Sequence, residues 1–518
     1  MKKRKLIIVD LNEDINQKKS DCSYINLSSG SIEFKNSKQI LLKEYQKKYY
    51  HYFKKIFQQN LKNKLDPNNP ILAETEIFNL RNDKISFFDK IINILMINDK
   101  IIRSNDDVLV ITDSYFTFKI FNDANFKVDY IRKKKRNHFL AFFQILRFYL
   151  KAFFVVIFLK FKKREKRTNT KNLYFSIYPN FYNGKKENFF DKNKDLKLNF
   201  LLTDESHVNL SLKQIFNSCF MNLKLENSTN MEEYISLFDI LKLIILLPFN
   251  FYNKFINLNK KFEINGLNFS SFYKYYLNAS LINRLKLEIY NKSFSRFFRK
   301  FEKIKSFHYY LFEYSFGFYL TNKIKNTNKK IKLIGYQHGI FSDNLMWLDL
   351  VKFFKKKSQY LPDLIVSLNN TCAIDYKKKL DTNKIKINKK KKTNNLVLNT
   401  KINKKKGKKN ILVLPGTHDI NEIYNSLMRR SKNSGDEFFY FKLHPRSQIN
   451  LVENKNLILI KNVNKKEFAN VLISQTSTLV YDFYLSKKKD FFKVITFDYK
   501  ESQLPSHIRK KKRYNFLV

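Results

Sequence analysis

The chain is poor in the residues that build tight turns, disulfides and cysteine-based metal centres. Its 518 residues include only 9 Gly, 8 Pro, 3 Cys and 1 Trp. The cysteines, Cys22, Cys219 and Cys372, are widely separated and form no CxxC pair. A disulfide framework and a histidine–cysteine metal cluster are therefore excluded, and a reducing compartment is the simple interpretation.

Glycine-based phosphate loops and acidic metal motifs are also missing. The sequence contains no P-loop, no GxGxxG and no Asp-x-Asp pair. We therefore expect a protein that needs no cofactor and no metal. The apolar run at 6–9 is too short for a signal-peptide core and stops at Asp10. The run is better interpreted as a first β-strand. We therefore expect the protein to stay in the cytoplasm.

Positive charge dominates, with 99 Lys+Arg against 46 Asp+Glu and a formal net charge of +53. Such an excess suggests nucleic acid, an anionic membrane or an acidic substrate as partner. Lys, Asn, Ile, Phe and Tyr are also the residues that AT-rich codons supply, so codon bias explains part of the excess. The lysines cluster in linkers and beside apolar segments, so we expect no nucleic-acid partner.

Short apolar runs separated by amphipathic stretches predict an α/β fold with parallel sheets. The first series of predicted strands is 6–9, 108–112, 173–177, 200–203, 331–336 and 364–368. The second series has strands at 410–414, 438–443, 457–460, 471–474 and 494–497, with helices at 421–431 and 479–485.

These two series predict two Rossmann-like domains. The N-terminal domain would cover 1–376 and the C-terminal domain 410–500. Between them, 377–409 is packed with Lys and Asn and is predicted to be a solvated linker or insertion. A basic tail, 501–518, follows the second domain.

One apolar segment inside the first domain, 139–161, is flanked on both sides by basic residues. Its polar residues Gln144, Arg147 and Lys151 share one helical face. A spanning helix would place Lys151 near the bilayer centre at a cost of about 3 kcal/mol. A helix lying in the membrane interface avoids this cost and is favoured, with a true span and a buried core helix as alternatives.

A second apolar segment, 234–254, has Ser236, Asp239 and Lys242 near one face. Pro248 is predicted to kink or end the helix. The pattern fits equally a membrane-associated partner of the first segment and a core helix.

Two acid–base candidates lie near the end of the first series. His338 follows the strand 331–336 in Gln337-His338-Gly339, where the carboxyl ends of parallel strands line a ligand crevice. A histidine there can act as a general base near neutral pH, or can simply bind a loop carbonyl. Glu313 lies between apolar residues and would face the same cleft, or else would begin a helix.

A cationic group follows a strand of the second series. Lys442 and His444 alternate with Leu443 and share one strand face, and Arg446 follows in the loop. Together they suit phosphate oxygens, although an exposed basic edge would look the same.

Hydroxyl residues follow another strand of the second series, where a helix is predicted to begin. Ser474, Thr476, Ser477 and Thr478 could cradle a phosphate or only cap the helix. Gly416, after the first strand of this series, would touch a nucleotide or only make a turn.

Three motifs in order carry a resemblance to a known family: Gln337-His338-Gly339, Lys442-Leu443-His444-Pro445 and Ser474-Gln475-Thr476-Ser477-Thr478. This order resembles the GT-B glycosyltransferases of bacterial surface carbohydrate and capsule polysaccharide biosynthesis. Bacterial sialyltransferases and CDP-glycerol glycerophosphotransferases are related in pattern. The likeness covers about 305–500, and the first 300 residues only in general layout.

The resemblance implies two Rossmann-like domains facing a cleft, with the donor nucleotide in the C-terminal domain. His444 would contact the donor phosphate, Ser477 and Thr478 would bind it at the helix start, and His338 would activate the acceptor. A CMP- or CDP-activated donor is favoured, with a carbohydrate or lipid-linked acceptor at the cytoplasmic face of the inner membrane. The enzyme would be peripheral to the anionic membrane surface and metal-independent.

The chain departs from both related families. It lacks the acidic pair followed by glycine of the sialyltransferases, and has Ser-Gln-Thr-Ser where the glycerophosphotransferases carry Asp-x-Ser-Ser. A CDP-glycerol-type glycerophosphotransferase nevertheless stays an alternative to the glycosyltransferase. The alternatives from another class are a non-catalytic, basic nucleic-acid-binding protein and a degenerate transferase that serves as a scaffold.

Overall fold

A computed structural model describes the chain in ranges separated by gaps. The described residues are 4–11, 15–17, 22–27, 32–34, 37–64, 86–131, 138–161, 169–175, 195–202, 213, 215–217, 220, 227–256, 261–311, 315–337, 357–368, 370–380, 384–387, 395–403, 409–416, 419–433, 435–443, 451–463, 466–477, 479–484, 486–496 and 513–514.

Strands and helices alternate along most of these ranges. The strands are β1 (Lys5–Asp10), β2 (Ile15–Gln17), β3 (Ser23–Asn26), β4 (Ile32–Phe34), β5 (Lys38–Gln39), β6 (Asp107–Thr112), β7 (Lys127–Tyr130), β8 (Asn172–Phe175), β9 (Leu196–Asn199), β10 (Ser228–Asn230), β11 (Glu263–Ile264), β12 (Leu267–Asn268), β13 (Ser306–Leu311), β14 (Lys332–Gln337), β15 (Leu364–Ser367), β16 (Ile385–Ile387), β17 (Lys401–Ile402), β18 (Lys409–Leu414), β19 (Glu437–Phe441), β20 (Leu457–Leu459), β21 (Glu467–Phe468), β22 (Asn470–Ser474), β23 (Phe492–Ile495) and β24 (Arg513–Tyr514). The helices are α1 (Leu42–Lys64), α2 (Ser86–Lys100), α3 (Tyr115–Asp123), α4 (His138–Phe161), α5 (Leu237–Ile256), α6 (Ser270–Lys286), α7 (Ser293–Lys300), α8 (Ser315–Thr327), α9 (Asn370–Leu380), α10 (Asn395–Asn399), α11 (Ile420–Asn433) and α12 (Leu479–Tyr484).

The chain divides into two compact units. The first comprises Met1–Tyr336 and Met346–Val366, and the second Gln337–Leu345 and Ser367–Val518. The predicted linker 377–409 is not a separate element, because it lies within the second unit and contains β16, α10 and β17. Apolar side chains explain this correction, since Leu380 and Val397 are buried despite the lysines around them.

The first sheet belongs to the first unit and has the order β5-β3-β1-β6-β7. Its central strand β1 is apolar and buried from Leu6 to Val9, as expected for a parallel strand covered on both faces. It pairs in parallel with β6, with Leu6 opposite Val108. The chain proceeds from β1 outward to β5 and then returns to β6 and β7 on the other side. The order therefore reverses between β1 and β6.

A buried acid closes the carboxyl edge of the first sheet at this reversal point. The Asp10 carboxylate lies 2.7 Å from the Lys90 ammonium nitrogen. It also accepts hydrogen bonds from Thr112 Oγ1 at 3.4 Å and Thr117 Oγ1 at 2.5 Å. Neighbouring strands of this sheet are thus joined by side chains where their backbone pairing ends.

Six strands of a second parallel sheet also belong to the first unit, in the order β10-β9-β8-β13-β14-β15. The predicted strand 200–203 is wrong, because β9 ends at Asn199 and the chain then bends. Phe200 is buried as a strand residue would be. However, the amides of Leu201 and Leu202 donate to the Glu232 carboxylate, at 2.7 and 3.1 Å, instead of to a neighbouring strand.

The two apolar segments of the first unit are both helices. α4 includes the predicted segment 139–161, and α5 continues past Pro248 to Ile256. Among the described residues, Ala141–Lys160 is a helix long and apolar enough to cross a membrane, and 39% of its most apolar window is buried inside the protein.

The second unit is built on a third parallel sheet, in the order β20-β19-β18-β22-β23-β24. The order reverses between β18 and β22, since β19 and β20 lie on one side and β23 and β24 on the other. Most predicted strands of this series are observed, although 494–497 is shifted and β23 ends at Ile495. The core against α11 is apolar: Ile411, Val413, Ile420, Ile423, Leu427, Phe439, Phe441, Leu457, Leu472 and Ile495.

The fold is therefore mixed α/β with several parallel sheets, as the alternating pattern predicted. The number of large sheets differs from the prediction, because the first unit contains two of them and not one. The reason is that β1, β3, β5, β6 and β7 pair with one another, so they form a sheet separate from the strands that follow α4.

The buried Glu232 makes the stability of the first unit depend on pH. Burial raises the pKa of Glu232 to about 7, although Tyr290 donates to its carboxylate at 2.5 Å. A carboxyl group with a raised pKa in the folded state contributes most stability below its unfolded pKa near 4.5, and this contribution is lost as pH rises through about 7. Glu232→Gln mimics the protonated form and should remove this loss.

We expect the free energy of unfolding of Glu232→Gln, minus that of the wild type, to increase between pH 4.5 and 7 by on the order of 3 kcal/mol. Urea unfolding followed by circular dichroism across this range measures it. Glu302→Gln removes an exposed carboxylate and is the matched control. A difference that stays constant with pH would show that Glu232 titrates normally.

Candidate functional site

The carboxyl edge of the third sheet gathers several residues that the sequence indicated. Gly416 follows β18, and Ser474 and Thr476 lie at the end of β22 and just after it. These strands are neighbours at the point where the strand order reverses. In open α/β sheets, ligands bind outside the carboxyl ends of the strands at such a reversal point. We call Gly416, Asp419, Ser474 and Thr476 the switch-point cluster.

The Asp419 carboxylate holds the switch-point cluster together. Its side chain is buried and accepts hydrogen bonds from the Gly416 amide at 2.8 Å and from Thr476 Oγ1 at 2.7 Å. Ser474 Oγ donates to the same carboxylate and also accepts a bond from the Thr476 amide at 3.1 Å. The turn after β18 and the turn after β22 are therefore joined through one acid.

These hydrogen bonds limit the ability of the Ser474 and Thr476 hydroxyls to bind a phosphate. Ser474 and Thr476 donate to a carboxylate, so in this conformation those protons are not offered to a phosphate. A buried carboxylate would also repel a phosphate placed beside it. The geometry gives Ser474 and Thr476 a positioning role in the loop that follows β22.

Gly416 is required by the close approach of the two turns. A Cβ added to Gly416 would overlap Thr476 Oγ1 and lie 3.0 Å from Thr476 Cβ. Only glycine therefore fits between the end of β18 and the turn after β22. The preceding strand is apolar and buried from Ile411 to Leu414, which fixes the position of this turn in the core.

Ser477 caps the short helix that follows. Its hydroxyl accepts a hydrogen bond from the Leu479 amide at 3.4 Å, where α12 begins. Its own amide donates to Ser474 O at 3.0 Å. The helix-cap interpretation of Ser477 thus agrees with its contacts, and α12 extends for only 6 residues.

Lys442 lies at the carboxyl end of β19, the strand next to β18. Its amide donates to Val413 O at 3.0 Å, and its side-chain ammonium donates to Lys461 O at 2.9 Å. Burial lowers the pKa of Lys442 below the ordinary value for lysine. Lys442 is therefore held at the same sheet edge as the switch-point cluster, one strand away.

The other predicted site residues lie outside the described residues. These are Glu313, His338, His444, Arg446 and Thr478. Gln337, which precedes His338, is described and buried, and its Oε1 accepts bonds from Ser367 Oγ at 3.2 Å and the Leu368 amide at 3.0 Å. The roles expected for the five residues remain predictions.

Sequence reasoning missed Asp419, the residue at the centre of the cluster. A weak signal was available, since an aspartate two residues before the predicted helix at 421 is a candidate for a helix N-cap. The side chain does not act mainly as a cap, because its acceptors are occupied by Gly416, Ser474 and Thr476.

In comparisons with known proteins, no family model and no curated protein matches the chain. Among the described residues, no group of three or more His, Cys, Asp or Glu could hold a metal ion. The resemblance to GT-B transferases therefore rests on its three motifs. The position of the cluster at a strand-order reversal is an independent argument for a ligand site.

The close approach at Gly416 predicts a stability loss. Gly416→Ala should destabilise the second unit by about 1–3 kcal/mol, because the added methyl group overlaps Thr476. Thermal unfolding measures the change, and Gly435→Ala is the matched control, since an added Cβ there meets nothing within 4 Å. The double variant G416A/T476A should lose less than the sum of the two single changes. Strict additivity would contradict the contact.

The Asp419 network predicts a second loss. Asp419→Asn removes the charge from the shared acceptor and presents an amide hydrogen to hydroxyl donors, so we expect a loss of about 2 kcal/mol or more. Asp436→Asn makes the same substitution at an exposed position of this unit and should change stability little. Equal stability of the two variants, measured by urea unfolding, would argue against the network.

Proposed function

We propose that the chain is a nucleotide-activated group transferase, of the GT-B glycosyltransferase type, that acts in bacterial surface polysaccharide biosynthesis. The observation that carries the proposal is the meeting of Gly416, Ser474 and Thr476 at the reversal point of the third sheet, with Lys442 one strand away. Residues distant in sequence thus lie at one sheet edge, which supports a ligand site there.

The donor nucleotide would bind along this edge. Lys442, with His444 and Arg446 in the chain that follows β19, would supply positive charge to the phosphates of the donor. Ser477 and Thr478 would lie at the turn leading into α12. Because Asp419 occupies the hydroxyls of Ser474 and Thr476, these two residues would shape the turn and leave phosphate contacts to their neighbours.

The chemical step would be the attack of an acceptor hydroxyl on the activated group, with departure of the nucleotide. His338, or Glu313, would remove the proton from the hydroxyl as it attacks. The positive charge of Lys442, His444 and Arg446 would stabilise the negative charge that develops on the departing phosphate. The acceptor would be a carbohydrate or a lipid-linked carbohydrate, reached from the cytoplasmic face of the membrane.

A nucleotide-binding measurement tests the proposal. CMP, CDP, UDP and GDP are added separately to the purified chain and its thermal unfolding is recorded, with and without EDTA. We expect CMP or CDP to raise the midpoint by several degrees in both conditions, since a ligand at about 100 times its Kd stabilises by about 2.7 kcal/mol. Lys442→Ala and His444→Ala should each remove most of the increase.

Lys432→Ala is the matched control, because Lys432 is an exposed lysine of the same unit on α11. It should leave the nucleotide response unchanged. If no nucleotide stabilises the wild type, the transferase proposal fails. If CMP or CDP binds and no group is transferred to any acceptor, the scaffold alternative is favoured instead.

A further inference from the structure

Several large apolar side chains of helix α5 are exposed to solvent. Phe238, Ile245, Phe249 and Tyr252 are 72%, 76%, 65% and 61% exposed, and they recur at helical spacing along one face. Leu241 and Leu246 lie beside them and are also exposed. These six residues form what we call the α5 face.

Helix α5 is apolar on its outer side as well as on its inner side, where Ile240 and Leu247 are buried, and it differs in this from a surface helix of a soluble protein. Such a helix turns its apolar stripe to the core and its polar side chains to water. On α5, the acidic Asp239 is turned toward the protein and pairs with Arg296 at 2.5 Å, while the α5 face is left outside. A contiguous apolar face of this kind marks a membrane or protein interaction site.

Helix α4 supports this surface from behind. Phe142 of α4 contacts Phe251 of α5 edge to face, with ring centroids 5.7 Å apart. Most of the apolar side of α4 is buried inside the protein: Ile145, Phe148, Tyr149, Ala152, Val155, Val156 and Leu159. Among the side chains of this helix that the structure describes, the exposed large apolar ones are Phe143, Leu150 and Phe154. More of the apolar surface is therefore buried on α4 than on α5, and α5 carries the larger exposed apolar face.

The exposed charged residues described on α5 and on the adjacent helix α4 are positive. Lys242 on α5, and Arg147 and Lys160 on α4, are exposed. The acid of α5, Asp239, is neutralised by Arg296 and by Lys292, which lies 3.2 Å away. Helix α4 has no acidic residue at all. Exposed basic side chains beside an apolar face complement anionic lipid headgroups.

We propose that α5 lies flat in the interface of an anionic lipid bilayer and inserts the α5 face into the acyl boundary, with the exposed residues of α4 at its side. A second copy of the chain is a poor occupant, because each copy carries a net charge of +53 and would present the same basic residues. Phe238 and Tyr252 are about 21 Å apart along the helix axis, at a rise of about 1.5 Å per residue. A helix lying in the interface buries its apolar face about 5–10 Å into the boundary between headgroups and acyl chains.

This surface is independent of the transferase proposal, since it would hold whatever reaction the chain carries out. It also revises the sequence-based expectation, in which 139–161 was the favoured membrane segment and 234–254 was left open. Because α4 gives its apolar side to the core, the membrane contact is assigned to α5.

Co-sedimentation with vesicles tests the proposal on the full chain. Vesicles of phosphatidylglycerol and phosphatidylcholine, at about 30:70, are compared with vesicles of phosphatidylcholine alone. We expect the wild type to bind the anionic vesicles, and the double variant I245N/F249S to bind them at least tenfold more weakly. The double variant I374N/V452S is the matched control, because Ile374 and Val452 are exposed apolar residues of the second unit. It should bind as the wild type does.

Circular dichroism and thermal unfolding test whether both double variants fold. We expect them to fold, because all four substituted side chains are exposed. A Tyr252→Trp variant gives the depth, since brominated lipids should quench its added fluorescence. The proposal is overturned if the wild type does not bind anionic vesicles, or if I245N/F249S binds them as tightly as the control. It is equally overturned if I245N/F249S only dissociates an oligomer, seen by light scattering, without changing vesicle binding.

Discussion

Neighbouring parallel strands in this protein are joined, where their backbone pairing ends, by buried side chains that accept hydrogen bonds. Asp10 does this in the first sheet, Glu232 at the end of β9, and Asp419 in the third sheet. A buried amide or hydroxyl without a partner costs free energy, so the chain cannot turn away from a sheet edge inside the core without such an acceptor. The same acids become unpaired buried charges if their donors are removed, which makes each edge sensitive to small changes.

That constraint also defines how the candidate site can work. The reversal point between β18 and β22 is where an α/β sheet accepts a ligand, yet its first hydroxyls are already bound to Asp419. The cluster therefore supplies a rigid frame, and in the proposed transferase the contacts with a donor nucleotide would fall to residues that extend from it. Of those residues, Lys442 is described by the structure, and its ammonium group already donates a hydrogen bond to a backbone carbonyl of the same unit. Rigid support of this kind is what binding groups on adjacent loops need.

Aromatic and aliphatic residues serve different purposes in different helices of this protein. Codon bias would account for an abundance of lysine and phenylalanine, but not for the exposure of Phe238, Ile245 and Phe249 on α5 while Val155 of α4 is buried. The exposure of an apolar face beside Lys242 is a property of packing, and it is this combination that indicates a lipid surface. A helix of almost the same composition thus serves the core in one case and the surface in the other.

The sequence by itself determined the α/β class, the strands at the centre of the first and third sheets, and the placement of Gly416, Lys442 and Ser474 at the ends of strands. Strands buried on both faces require continuous apolar runs, and such runs are visible in neighbouring residues, as at β1, β18 and β22. The apolar run at 200–203 led to a wrong strand prediction, because the residues of a buried turn are as apolar as those of a buried strand. Only the tertiary structure decided that Glu232 receives that turn, that 377–409 is part of the second unit, and that Asp419 binds Ser474. These outcomes depend on partners far apart along the chain, and local periodicity carries no information about which distant side chain will satisfy a buried polar group.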